Sequence, residues 1–283
     1  MWRACGPRVG FAMSRVLSRL SLTAAVLVMA ATAQAAEPAA PLGPIPGEWT
    51  VTLGVEGRVK PTFEGADTYE VLPAPLFSMR RIGTPRRFSA PRDSAGIAII
   101  EGGGFHFGPV GKIRLGRDQD DDDALRGLGD VDWTFELGAF LEYWPVEWLR
   151  GRIEARRGFG GHEGWIGDFT ADVVVPWNQW TFSAGPRLSV WSDEATSPYF
   201  SITPWQSINS GLPVYDAKGG LHSVGAGVQA RYEWSPQWAT HAYVEYEHLM
   251  GDAKDNPLVA ERGSPDQFTF GLGVTYTFDV KLW

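Results

Sequence analysis

From Trp49 onward the chain alternates apolar and polar residues. Trp49, Val51, Leu53, Val55 and Val59 interleave with Thr50, Thr52, Glu56, Arg58 and Lys60. Successive side chains of a strand point to opposite faces, so this segment has one apolar and one charged face. The period recurs towards the C-terminus. Val131, Trp133, Phe135, Leu137, Ala139, Leu141 and Tyr143 oppose Asp132, Thr134, Glu136 and Glu142. Leu149, Ile153 and Ala155 oppose Arg150, Arg152, Glu154 and Arg156; Trp165, Phe169, Ala171 and Val173 oppose Asp168, Thr170 and Asp172. Similar segments cover 105–115, 180–190, 223–233, 241–247 and 268–278, and weaker ones cover 70–80, 86–100 and 198–204. Together they predict about twelve strands (10–12), most of roughly ten residues or more, the length of a tilted membrane-crossing strand.

A soluble sandwich with its polar face in water shows the same alternation, but its strands run to about 5–6 residues. The polar faces here carry charges of both signs, which are costly in an apolar sandwich core. Aromatic residues gather near strand ends, at Trp49, Trp133, Tyr143, Trp165, Trp177, Trp180 and Trp238, as in a membrane interfacial belt. Within hydrocarbon only helices and closed sheets pair every backbone polar group. The expected fold is therefore all-β: a closed antiparallel transmembrane β-barrel with the lipid bilayer as its first partner, apolar outside and wet inside. Counting strands from a periplasmic N-terminus places the short 144–147 turn outside and the long acidic loop inside, the reverse of the usual arrangement. The 82–104 region is where that count is least constrained.

Composition sharpens this picture. Aromatics make up 13% of the chain, with 13 Trp and 34 Gly, which suits strands, turns and girdles better than helices. Arg15 and Arg19, the uncharged run 20–31 and Ala33-Gln34-Ala35 read as an export signal over residues 1–35, and Met13 stands just before its basic region. A Pro/Ala-rich lead-in (36–47) follows, and the barrel is expected over 48–283. Loss of residues 1–35 removes Arg3, Arg8, Arg15 and Arg19 and no acid, which moves the net charge from −8 to −12. That balance speaks against nucleic-acid binding. The sole cysteine, Cys5, lies within the signal, so no disulfide or thiolate metal site is expected in the exported chain.

One stretch is more specific. In Gly54 to Phe77, GVEGRVKPTFEGADTYEVLPAPLF, a strand is followed by Phe63-Glu64-Gly65-Ala66-Asp67, then Tyr69, then Leu72-Pro73-Ala74-Pro75-Leu76. This run resembles the opening motif of the MipA/OmpV (MltA-interacting protein) family. The 125–132 segment with Gly127, Gly129 and Asp130, the 158–167 segment with Gly160 and Gly161, the 211–220 segment, and Leu249-Met250-Gly251-Asp252-Ala253 are similar to further family elements in the same order. The resemblance implies a Gram-negative outer-membrane barrel that acts as a non-enzymatic scaffold, with a murein lytic transglycosylase and a murein synthase as partners. A narrow solute channel or a surface adhesin stand as alternatives. Phe270, Leu272, Val274, Tyr276 and Phe278 share one face and look like the terminal β-signal of outer-membrane proteins, with Asp279 to Trp283 extending past it.

No residue set predicts catalysis, a cofactor or a metal. The Asp118, Asp120–Asp123 run lacks EF-hand spacing and reads as a solvated loop. The five histidines have no paired spacing, and no G-x-S-x-G is present. The row of Arg150, Arg152 and Arg156 beside Glu154, with Asp168 and Asp172 on the next strand, is the main candidate inside the lumen. It reads as a cross-strand ion-pair ladder, or as a filter for anionic or zwitterionic solutes.

Overall fold

A computed structural model describes residues 47–84 and 86–282. The signal segment 1–35, all but the last residue of the lead-in, and Trp283 lie outside the described residues. Twelve strands form one sheet: β1 (Gly47–Pro61), β2 (Tyr69–Arg81), β3 (Ala95–Gly96), β4 (Ile100–Gly102), β5 (Phe105–Arg114), β6 (Thr134–Val146), β7 (Leu149–Gly160), β8 (Trp165–Trp177), β9 (Trp180–Trp191), β10 (Gly220–Glu233), β11 (Trp238–Leu249) and β12 (Asp266–Leu282). Each strand from β5 to β12 pairs antiparallel with the next, and β12 returns to pair with β1, which carries β2 on its other side. β3 and β4 both pair with β5 as two pieces of one edge. The wall is thus nearly closed. One seam remains between β2 and the β3–β4 edge, where the expectation was complete closure.

The alternation has the predicted sense. On β7, Arg150, Arg152, Glu154 and Arg156 are buried, whereas Ile153 is exposed. Leu53, Val55, Phe169, Val173, Phe270 and Leu272 also face outward, as a lipid-contacting wall requires. Trp148, Trp177, Trp180 and Trp238 are exposed at one end of the wall, and Trp133 and Trp165 at the other. Among the described residues no helix is long and apolar enough to cross a membrane.

The 86–100 segment is not the regular strand the sequence suggested. β2 ends at the same end of the barrel where β1 begins, since Arg81 pairs with Trp49. The chain then re-enters the lumen, climbs to Ala95 opposite Gly111, and descends as β3 and β4. Inside, Arg92 meets Asp168 of β8 and Glu247 of β11, Asp93 meets Arg150, and the Ser94 N–H donates to Glu154 at 3.1 Å. β3–β4 therefore runs parallel to β2 across the seam. This lumen passage resolves the sidedness conflict. The long connections 62–68, 115–133, 192–219 and 250–265 all lie at one end, together with the four-residue link 161–164. The short turns 103–104, 147–148, 178–179 and 234–237 lie at the other, with the start of β1 and the end of β12. Gly103 and Gly104, at φ 58° and 81°, supply the left-handed pair that a two-residue hairpin needs.

Barrels of this kind keep short turns in the periplasm. A cysteine at exposed Asp120 should react with a membrane-impermeant maleimide on intact cells. One at exposed Asn178 should react only after the outer membrane is permeabilised. The reverse labelling pattern would invert the orientation.

The long connections build a cap. They hold α1 (Asp193–Phe200), α2 (Pro204–Ser210), α3 (Gly251–Asp255) and α4 (Pro257–Arg262), and the 115–133 loop holds a 3₁₀ turn at Asp123–Leu125. The expected strand at 198–204 is instead the junction of two helices. Thr203 caps α2 in a reciprocal capping box with Gln206, and Pro204 fills the first turn, so the local signals there are helical. Val131 and Trp133 likewise precede β6, and Val131 is buried in the cap.

Candidate functional site

Charge lines much of the lumen, so most of the buried apolar residues collect in the cap, while Val110 and Phe140 are buried inside the wall. One cluster holds Ile166, Trp191, Tyr199, Phe200, Leu249 and Val259; a second holds Phe63, Ala66, Leu125, Leu128, Ile202, Leu212 and Leu258. The residues of the family resemblance concentrate here. Phe63 is buried in the second cluster, and the Gly65 N–H donates to Gln267 at 3.0 Å. Gly127 (φ 81°) lies against the backbone of Asn209, and Gly161 against the carbonyl of Asp132. Asp130 accepts from the Gln119 N–H at 2.9 Å, and Asp252 from the Lys218 N–H at 2.8 Å. Gly129, Gly160 and Gly251 all have positive φ. Asp67 and Tyr69 are exposed at the cap edge. Leu72, Pro73 and Pro75 stand apart from the cap, on the seam strand β2.

Glu64 ties the cap to the wall. It accepts from His222 Nε2 on β10 at 2.7 Å and faces Arg114 Nη1 of β5 at 3.4 Å. The His222 ring stacks on Trp191 at 3.7 Å, and the Arg114 guanidinium lies 4.6 Å from the same indole. Burial alone raises the Glu64 carboxyl, but His222 and Arg114 beside it bring it down to about 2. A carboxyl lowered from 4.5 stabilises the fold above pH 4.5 and loses that contribution as pH falls from about 4.5 to about 2. Glu64→Gln should therefore cost about 2 kcal/mol at neutral pH. The gap between wild type and variant, read from urea midpoints, should close on acidification through that window.

Below the cap the ion pairs run around the lumen. Arg150 reaches Asp172 at 3.0 Å, Glu142 at 2.8 Å and Asp93 at 2.6 Å. Arg152 bonds Glu154 at 2.8 Å and Glu142 at 3.3 Å. Arg156 bonds Glu136 at 2.8 Å and both Glu154 and Asp168 at 2.5 Å. Arg187 continues the chain to Asp172 at 2.8 Å and Glu245 at 3.3 Å. A smaller cluster on β1 and β11 joins Glu56 to His241, Tyr243 and Arg58 at 2.8, 2.8 and 2.9 Å.

The structure thus brings together the six charged residues singled out from the sequence. It adds Glu136 and Glu142, which alternation had placed on a polar face, and Arg187, Glu245 and Glu247 from the alternating segments 180–190 and 241–247. It also adds Arg92 and Asp93, which lie in the weak 86–100 segment. Each of the five histidines pairs with a carboxylate: His106 with Glu142, His162 with Glu136, His222 with Glu64, His241 with Glu56 and His248 with Asp266. Among the described residues no group of three or more His, Cys, Asp or Glu is placed to hold a metal ion. The acidic run lies on the cap: Asp122 caps the 3₁₀ turn and accepts from Thr62 at 3.1 Å, while Asp118, Asp120, Asp121 and Asp123 are exposed. The residues of the expected β-signal lie on β12, whose pairing with β1 continues past them to Leu282.

No curated protein sequence matches the chain. Among solved structures it is similar to the KdgM porin (11% identity, TM-score 0.40, covering 80% of this chain and 99% of that one). It is also similar to an outer membrane channel from Pseudomonas putida F1 (12%, TM-score 0.41, covering 83% and 97%) and to the NanC porin (9%, TM-score 0.39, covering 81% and 98%). The model of the family described as MltA-interacting protein MipA matches residues 53–278, nearly the whole barrel with its capped mouth, and the chain belongs to that family of outer-membrane β-barrel proteins.

Proposed function

We propose that the protein is a non-enzymatic anchor in the Gram-negative outer membrane, exported after cleavage behind Ala35. Its task in this reading is to hold a murein lytic transglycosylase, and through it a murein synthase, at the envelope. The family description, an MltA-interacting protein, supplies the partner class. The observation that carries the reading is a lumen obstructed by the chain itself: the 86–94 segment lies inside the barrel, pinned by Arg92 and Asp93 to Asp168, Glu247 and Arg150 on three strands. A wall built to pass solutes would leave that space to water.

Two measurements test it together. The purified barrel in planar bilayers should carry no steady ion current at any voltage. Crosslinking in cells should recover a lytic transglycosylase with it. A steady current without the transglycosylase would replace the anchor with a narrow channel lined by the same charged rows.

A further inference from the structure

The seam offers a site of a different kind. Hydrocarbon does not solvate free N–H and C=O groups, and each one left unpaired costs several kcal/mol. The outer face of β2 is lipid-facing, with Val71 71% and Phe77 68% exposed, so its free edge lies in that medium. The β1–β2 ladder is unbroken from Tyr69 to Arg81. Proline has no N–H, so within that ladder Pro73 and Pro75 occupy the positions whose backbone turns away from β1, towards the seam. Two of the donors that would otherwise stand unpaired at this edge are therefore missing, and no partner strand can draw on them. On the other side Ile97 and Ile99 give their N–H groups to Pro109 and Phe107 of β5, which leaves the small residues Gly96 and Ala98 to face the gap.

Inside the same strand the lumen changes character. The inward positions Leu72, Ala74 and Leu76 are apolar and half-buried, whereas inward positions of the adjoining β1 carry Glu56 and Arg58. An apolar strip thus runs along the inside of an unsealed edge, beside a pair of opposite charges. We propose that the seam is a lateral port, through which a single-chain amphiphile with a zwitterionic head passes from the bilayer. Its acyl chain lies on Leu72, Ala74 and Leu76, and its head enters the charged lumen. The prolines keep the port from zipping shut.

Lysophosphatidylcholine, titrated against the full-length barrel and counted by native mass spectrometry, tests this. The wild type should bind it saturably. Ala74→Trp, which fills the strip, should weaken binding about tenfold or more. Pro73→Val with Pro75→Val returns two edge donors without touching the lumen, and should slow both uptake and release. Heat-modifiable migration establishes that each variant is folded. Absence of saturable binding in the wild type overturns the proposal, as does unchanged affinity in folded Ala74→Trp. If Ala74→Trp does not fold, the double proline variant decides, and unchanged exchange there has the same effect.

Discussion

Arg156→Ala should destabilise the barrel by about 3–5 kcal/mol, the cost of breaking a buried ion cluster from one side. Arg156 is fully buried and is held by Glu136, Glu154 and Asp168 from three successive strands. Truncation leaves three buried carboxylates crowded together without that guanidinium. Arg156→Lys should recover only part of the difference, because one ammonium cannot reproduce the planar fork. The neighbouring Arg157 is an internal control. It lies on the exposed face of the same strand with its guanidinium 5.9 Å from the Phe159 ring, so Arg157→Ala should cost under about 1 kcal/mol. Urea midpoints followed by heat-modifiable migration measure both. Equal effects at the two positions would mean that Arg156 does not face the lumen, and the assignment of inner and outer faces would fall with it.

That face assignment was legible because strand alternation is a local property. Arg150, Arg152, Glu154 and Arg156 share one face of β7 whatever surrounds it, and Asp168 and Asp172 follow once β7 and β8 are joined as a hairpin. Other features depend on distant partners and leave no periodic trace. The 86–100 segment reads as a weak strand, yet the place of its first part is set by Asp168, Glu247 and Arg150, which lie 57 to 155 positions away from their partners. The cap was missed for a related reason. Its helices are short and have little amphipathic period, and their signals are caps: Thr203-Pro204 with Gln206, and Asn256-Pro257. Glu64 was visible as a motif residue, but the reason for a carboxylate there is His222, which stands 158 positions away. The sidedness conflict had the same root, since one passage of chain through the lumen reverses the direction of every strand that follows it.

The glycines of the cap separate two costs that sequence alone leaves combined. Gly65 has φ +102°, and a Cβ there would stand 2.5 Å from Val259 Cγ2 in α4. Gly65→Ala therefore meets both backbone strain and overpacking, each of about 1–3 kcal/mol, for a total of about 2–6 kcal/mol. Gly129 has φ +70° with open space around the missing Cβ, so Gly129→Ala should cost only the backbone share, about 1 kcal/mol. The loss at Gly65 should also be local. That loop is tied to Gln267 and to α4, while the β1–β12 and β11–β12 ladders below do not depend on it. Hydrogen exchange should show loss of protection across 62–68 and 250–265 with the strands still protected, and limited proteolysis should nick the same loops. Uniform deprotection of the strands instead would mean that cap and wall unfold as one unit. Glu64 and His222 would then be part of what holds the barrel together, and not only of what closes its mouth.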